Sequence, residues 1–203
     1  MIKVIIFDLS EVYLVGLLGL EDSLEPLLKE PAKEIHKKFH NEKLTLLFSG
    51  KISEVEYWES LIEQNNWDIE VSILKRLVRE NFTEIKGTRK IVEELKTSGF
   101  KLGLLSVHAK EWIEFCEKEY DYHKLFDEVV YSFEIGKLKP AQEPFKEILK
   151  RLRTKPQECI FIDDSKRNLS TANNLGIKII HFKSPEQLRK DLISFSILLR
   201  ISE

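Results

Sequence analysis

The residues best placed to do chemistry in this chain stand at the ends of short apolar runs. Asp8 follows Val4–Phe7, Ser106 follows Leu102–Leu105, and Asp163 with Asp164 follows Cys159–Ile162. Lys139 lies in the loop after Val129–Tyr131. Three carboxylates gathered in one place repel, because two charges 4 Å apart cost about 1 kcal/mol in water and about 4 at an effective dielectric of 20. A lysine and a divalent cation would neutralise such a set. Oxygen donors with room for water suit Mg2+ better than zinc. A carboxylate beside that ion could act as a nucleophile.

Positioning these groups is the work of the elements around them. The four runs, and a fifth at Ile177–Ile180, are β-branched and aromatic without alternation, as parallel strands buried on both faces are. Between most of them lie segments of helical period. Thr88 is placed to cap a helix carrying Ile91, Val92 and Leu95, which Gly99 ends. Phe145, Ile148, Leu149 and Leu152 form another stripe. Ser184-Pro185-Glu186-Gln187 reads as a capping box with proline at the first helical position. Strands alternating with helices predict a doubly wound α/β fold. Its ligands would bind beyond the carboxyl ends of the strands, where the polar residues gather.

Residues 15–82 break this rhythm and read as all-helical. Ser53 and Glu56 form a capping box ahead of Val55, Trp58, Leu61 and Ile62, which share one predicted face. Val71, Leu74, Leu77 and Val78 repeat the pattern, and Ile35 with Phe39 suggests a helix before them. The expected organisation is a core of residues 1–14 and 83–203 with a helical insertion at 15–82, placed as a lid over the site.

Composition narrows the function classes. The 203 residues are 42% hydrophobic and carry a formal net charge of −2, which suits a buried core and disfavours a general nucleic-acid surface. The apolar run at Val12–Leu20 follows Asp8, Ser10 and Glu11 and falls short of the roughly 20 residues that cross a bilayer. It predicts neither a targeting signal nor a membrane span. Two cysteines, Cys116 and Cys159, cannot build a disulfide framework or a metal cage alone, so a reduced cytoplasmic protein is expected. The eight glycines form no Gly-x-Gly-x-x-Gly, and no Walker A loop occurs. A receiver domain would place its acidic pair at the first strand and would lack the long insertion.

Four segments in register then resemble the haloacid dehalogenase (HAD) superfamily, in the subfamily with a helical cap after the first strand. They are Ile6-Phe-Asp-Leu-Ser10, Leu104-Leu-Ser106, Ser132-Phe-Glu-Ile-Gly-Lys-Leu-Lys-Pro140 and Phe161-Ile-Asp-Asp-Ser-Lys-Arg-Asn168. Gly176 matches the family's helix-to-strand turn, and Gly50-Lys-Ile-Ser53 with Tyr57-Trp58 matches its cap segment. The resemblance implies a Rossmann-like core and a small phosphorylated metabolite as substrate. Asp8 would be the nucleophile that becomes an aspartyl-phosphate, and Ser106 with the nearby Val107 amide would hold phosphoryl oxygens. Lys139 would bridge nucleophile and phosphate. Mg2+ would be held by Asp8, the Ser10 carbonyl and Asp164, with Asp163 as ligand or support. Dehalogenase-like members replace these metal carboxylates, and this chain keeps them.

One departure matters most. Phosphatases of the family carry a second aspartate two residues after the nucleophile, which protonates the leaving alcohol; here that position is Ser10, followed by Glu11. Acid–base help of that kind is worth about 10²–10⁴-fold, and a serine hydroxyl is too weak an acid to give it near neutral pH. Three readings stay open. The enzyme acts on good leaving groups such as acyl phosphates, as the related P-type ATPases, with threonine there, release ADP. Alternatively another residue substitutes: His108, or Glu11, which on an extended strand end would face the other way. Or the protein binds a phosphorylated ligand or partner without turnover. A phosphonatase-like or dehalogenase-like reaction at carbon is a further alternative, since phosphonatase-like members have alanine at this position and use a cap lysine as Schiff base. Lys51 is the candidate for that.

Val107 in place of a frequent asparagine, and Ala141-Gln142 in place of Asp-Pro, point to a reshaped pocket. His36 and His40 have metal-compatible i, i+4 spacing, but without a third ligand they read as helix-surface residues. Lys137 is expected to be solvated. Trp58, Trp67 and Phe39 are expected to pack within the insertion or on the core.

Overall fold

The structure is a computed structural model that describes residues 1–197. Five strands, β1 (Val4–Phe7), β2 (Lys101–Ser106), β3 (Glu128–Tyr131), β4 (Cys159–Asp163) and β5 (Lys178–His181), form one parallel sheet in the order β3-β2-β1-β4-β5. The unbroken apolar runs are explained by burial on both faces. In β1, Val4 and Ile6 join one apolar core with Phe145, Ile148 and Phe161, while Ile5 and Phe7 join a second with Leu102, Leu104 and Ile162. The alternation of side chains along a strand divides them between the two cores.

Six helices flank the sheet: α6 (Thr88–Thr97), α7 (Lys110–Tyr120), α8 (Ser132–Ile135), α9 (Gln142–Arg151), α10 (Lys166–Asn174) and α11 (Pro185–Ser194). Ahead of them, between β1 and α6, come α1 (Leu20–Leu28), α2 (Ala32–Phe39), α3 (Glu42–Phe48), α4 (Glu54–Asn65) and α5 (Val71–Asn81). The chain leaves and re-enters the core through one paired ribbon. Val15 N–H donates to the Thr83 carbonyl at 2.8 Å, and Ile85 N–H donates to the Tyr13 carbonyl at 2.9 Å.

Several local readings change. Thr88 does not cap α6: Gly87, at φ 105°, precedes the helix, and the buried Thr88 hydroxyl donates to the Val12 carbonyl at 3.0 Å. It ties α6 to the ribbon instead. Ser53 does cap α4 in a reciprocal box with Glu56, but Val55 faces solvent and the buried face is Glu54, Tyr57, Trp58 and Leu61. Helix α3 falls within the all-helical expectation for 15–82, and Asn41 caps it by accepting from Leu44 N–H at 3.1 Å. Phe39 and Trp58 pack edge to face at 6.1 Å, and Trp67 is buried.

The insertion is fastened to the core by a buried charge. Glu54 is 1% exposed and accepts from Arg79 at 2.6 and 2.7 Å, from Trp58 Nε1 at 3.2 Å and from Trp112 Nε1 at 2.8 Å. Trp112 belongs to α7 of the core, and Glu111 beside it accepts from the Glu54 N–H at 3.1 Å. Burial alone would raise the Glu54 pKa, but the Arg79 guanidinium and the indole N–H groups hold it below the ordinary range. A second close approach occurs at Gly50. A Cβ there would stand 2.8 Å from the Phe133 carbonyl oxygen, and its φ of +71° suits glycine.

Candidate active site

Parallel pairing sets the edge at which the polar residues emerge. Phe7 lies opposite Leu104 on one side and Ile162 on the other, so Asp8, Ser106 and Asp163 all arrive at the carboxyl end of the sheet. The Asp8 N–H continues the ladder to the Ile162 carbonyl at 2.9 Å. Oxygens of Asp8, Asp163 and Asp164 lie within 4.8 Å of one another. Lys139 enters from the loop after α8, its side chain 1% exposed, with Nζ 2.8 Å from Asp8 and 2.7 Å from Asp163. Lys137 is exposed.

The four groups are held differently. Asp8 Oδ1 accepts from Leu9 N–H at 2.7 Å as well as from Lys139; among the described residues no protein donor reaches its other oxygen. Asp163 is surrounded by donors: Lys139, the Ser165 N–H at 2.7 Å, and Asn168 Nδ2 at 3.1 Å from each oxygen. That anchors Lys139 and the start of α10. Asp164 is exposed and lines the cavity. Ser106 is buried and its hydroxyl has no partner among the described residues, so an orphan hydroxyl stands at the end of β2.

One lysine does not balance three carboxylates. Burial raises the Asp8 pKa well above the ordinary carboxylate range; Lys139 opposes this and Asp163 reinforces it. Burial and the neighbouring Asp163 likewise raise Asp164. Burial would lower Lys139, yet Asp163 and Asp8 outweigh it and keep the ammonium charged. The donor set is all oxygen, over-negative and open to water at Asp164. Mg2+ fits it.

Asp8, Lys139 and Asp164 line a cavity of about 380 Å³, with Asp163 and Ser106 buried behind them. Ser10, Val107 and Asn168 line it beside them, and Leu17, Leu44, Phe48 and Phe82 form much of the opposite wall. Glu11 also lines it, which the extended-strand expectation did not foresee. The chain turns at Glu11 with φ +58°, so alternation no longer applies, and its carboxylate accepts from Gly16 N–H at 2.8 Å. Burial raises its pKa. Gly16 is close against both: a Cβ there would lie 2.9 Å from Glu11 Oε1 and 3.2 Å from Ser10 Cβ.

The histidines gather at the same cavity. His36 is partly exposed and His40 exposed, as helix-surface residues are, and both also line the cavity, with Nε2 atoms 3.2 Å apart and Glu21 3.1 Å from His36 Nδ1. His108 also lines it, packed against Phe48, Phe82 and Trp112. Burial pushes its pKa down to about 4, and its Nδ1 has no partner among the described residues. A neutral imidazole of this kind is a poor proton donor at neutral pH. Its backbone N–H is occupied by Ser132 Oγ at 3.1 Å. Lys51 is exposed and lines a separate cleft with Ser53 and Lys110, which removes the geometric basis for a Schiff base over Asp8. The two cysteines are buried and free, and burial pushes their thiols up to about 12 and about 11. No helix among the described residues is long and apolar enough to cross a membrane.

Comparison with known proteins places this geometry. A pyrophosphatase, PpaX of Bacillus mycoides, is 30% identical over 89 residues, which are 44% of this chain and 41% of the pyrophosphatase. The match thus spans about two fifths of that relative's length. A HAD family enzyme from Bacteroides thetaiotaomicron, crystallised in complex with magnesium and inorganic phosphate, superposes with a TM-score of 0.77. It is 20% identical, over 91% of this chain and 96% of that one. A predicted HAD-like family hydrolase from Porphyromonas gingivalis gives a TM-score of 0.75 at 24% identity, over 97% and 98% of the two chains. The family model for haloacid dehalogenase-like hydrolases matches residues 5–182, from the first strand through the last, and the chain belongs to that family.

Proposed function

We propose that this protein is a Mg2+-dependent phosphohydrolase that transfers a phosphoryl group from a small phosphorylated metabolite to Asp8 and then to water. The observation that carries this reading is the Asp8 carboxylate. One oxygen is fixed by Lys139 and Leu9 N–H, while the other has no protein donor among the described residues, and Ser106 at the end of the neighbouring strand carries an orphan hydroxyl. Asp8, the Ser10 carbonyl and Asp164 would hold the ion, which when bound offsets charge on the transferring phosphoryl group. Asp163, saturated by donors, keeps Lys139 and α10 in place. Residues 15–82 act as the cap over a core of 1–14 and 83–203.

Asp8 attacks phosphorus, the bond from phosphorus to the leaving oxygen breaks, and Lys139 and Ser106 hold the phosphoryl oxygens. Water then attacks the aspartyl-phosphate, releasing phosphate and restoring the carboxylate. Neither Ser10 nor the neutral His108 supplies the proton that an alcohol leaving group needs, and the Glu11 carboxylate is engaged as acceptor of the Gly16 N–H at 2.8 Å, so the first step favours leaving groups that depart as anions. The experiment is phosphate release in Mg2+ across alkyl, aryl and acyl phosphates, with Asp8→Asn as control. Asp8-dependent release supports the reading. Binding without turnover is the second reading, favoured by the same missing proton donor, and Ser10→Asp separates the two: turnover only in that variant means an intact but disarmed site.

A further inference from the structure

The part of the cavity beyond the carboxylates shows what the site is built to hold. Its apolar lining is Leu17, Leu18, Leu44, Phe48, Phe82 and Trp112. Among the described residues, Lys139 is the single lysine or arginine that lines it, and that ammonium is already engaged by Asp8 and Asp163. Asp8, Glu11 and Asp164 are the acids that line it. The imidazoles do not reverse this balance. His108 is buried among aromatic rings, and His40 is held down by burial and by His36. His36 in turn lies 3.1 Å from the Glu21 carboxylate, so a charge there is already countered. With Mg2+ held at Asp8 and Asp164 beside the transferring phosphoryl group, a second anionic group reaching the apolar part of the cavity would meet no lysine or arginine there, and burying an uncompensated charge is expensive.

Resting on the phosphohydrolase reading, we infer that the substrate is the monophosphate of an uncharged aromatic or otherwise apolar group, and that pyrophosphate and phosphates bearing a second anion are poor ligands. Leu17, Leu18 and Phe48, the partly exposed members of the apolar lining, supply the surface such a group buries. A second, independent feature agrees. An aryl phosphate loses a phenolate as Asp8 bonds to phosphorus, and the phenolate takes its proton from solvent, so the acid absent at Ser10 is not needed.

The test uses a matched pair, phenyl phosphate and 4-carboxyphenyl phosphate, with pyrophosphate as a third arm, all in Mg2+. The added carboxylate makes the departing phenol more acidic, so chemistry alone favours the analogue that the cavity is expected to reject. We expect kcat/KM for phenyl phosphate to exceed both others by at least about ten-fold. Leu18→Lys, at a side chain 58% exposed at the cavity mouth, should raise the ratio of carboxylated to plain substrate about three-fold or more. Asp8-dependent release that prefers pyrophosphate or the carboxylated analogue overturns the inference and leaves the phosphohydrolase reading standing. If no compound gives Asp8-dependent release, that reading fails instead. Calorimetric binding of the same pair to the wild-type protein then decides the inference: tighter binding of phenyl phosphate upholds it, and equal or weaker binding overturns it.

Discussion

Glu54→Ala is the perturbation whose cost can be worked out most fully. The carboxylate is 1% exposed and serves four donors, two from Arg79 and one each from Trp58 and Trp112. Removing one partner of a buried ion pair costs about 3–5 kcal/mol. The Arg79 side chain is 22% exposed and recovers part of its hydration, which lowers that figure. The two indole N–H groups cannot recover theirs, and an orphaned buried donor costs about 1–3 kcal/mol. These terms share one cavity and do not add, so the expected loss is about 4 kcal/mol, a large share of a total stability of about 5–15. Glu54→Gln keeps one acceptor and should lose about half as much. Urea unfolding at neutral pH followed by tryptophan fluorescence reads both, and a Glu54→Ala/Arg79→Ala cycle should show a coupling of about 2 kcal/mol. A Glu54→Ala loss below about 1 kcal/mol would refute the claim that this charge fastens the insertion. The pH dependence has a definite sign. Because the folded pKa is lowered, the stabilisation is complete above the unfolded value of about 4.3 and disappears as pH falls through the folded value. Glu54→Gln should flatten that acid limb.

Three further outcomes are expected. Ser106→Ala should lower kcat/KM about 10²–10³-fold while leaving urea stability unchanged or up to about 1 kcal/mol higher, because the hydroxyl it removes is buried without a partner. Ser10→Asp should raise kcat/KM for alkyl phosphates about 10²-fold or more and for aryl phosphates far less; equal gains would show that the proton is not what the site lacks. Mg2+ at ten times its Kd should stabilise the protein by about 1.4 kcal/mol and raise Tm by about 3–5 °C, an effect that Asp164→Asn should abolish.

Much of the sheet and its reactive edge could be read from the chain because both rest on local signals. Unbroken apolar runs mark strands buried on two faces, and a polar residue directly after each run must emerge at the same end once the strands are parallel. The readings that changed depend on contacts made across the fold. Glu11 turns toward the cavity because its backbone leaves the extended region, and alternation holds only while a strand stays extended. His36 and His40 keep their helical spacing, yet which side α2 presents to the cavity is decided by packing among the insertion's helices. Glu54 follows the Ser53 cap, and nothing in its local sequence marks it out. Its partners Arg79 and Trp112 are 25 and 58 residues away, beyond any periodic pattern. The charge of the cavity wall was equally hidden, since it is a property of six side chains drawn from four separate stretches of chain.

The ribbon at residues 13–15 and 83–85 has a consequence for the history and engineering of this chain. Two hydrogen bonds, Val15 to Thr83 and Ile85 to Tyr13, bring the two ends of the helical segment side by side. The strand that carries Asp8 therefore sees the same short junction however long the excursion between its ends. Closing a loop costs only about 0.6 kcal/mol more for each doubling of its length, so a change in the length of the excursion costs the sheet little as long as the Glu54 contacts to Arg79 and Trp112 are kept. On the proposed phosphohydrolase reading, a change in the helices between the two ends of the ribbon would alter which group is admitted while Asp8, Lys139, Asp163 and Asp164 keep their places at the sheet's edge.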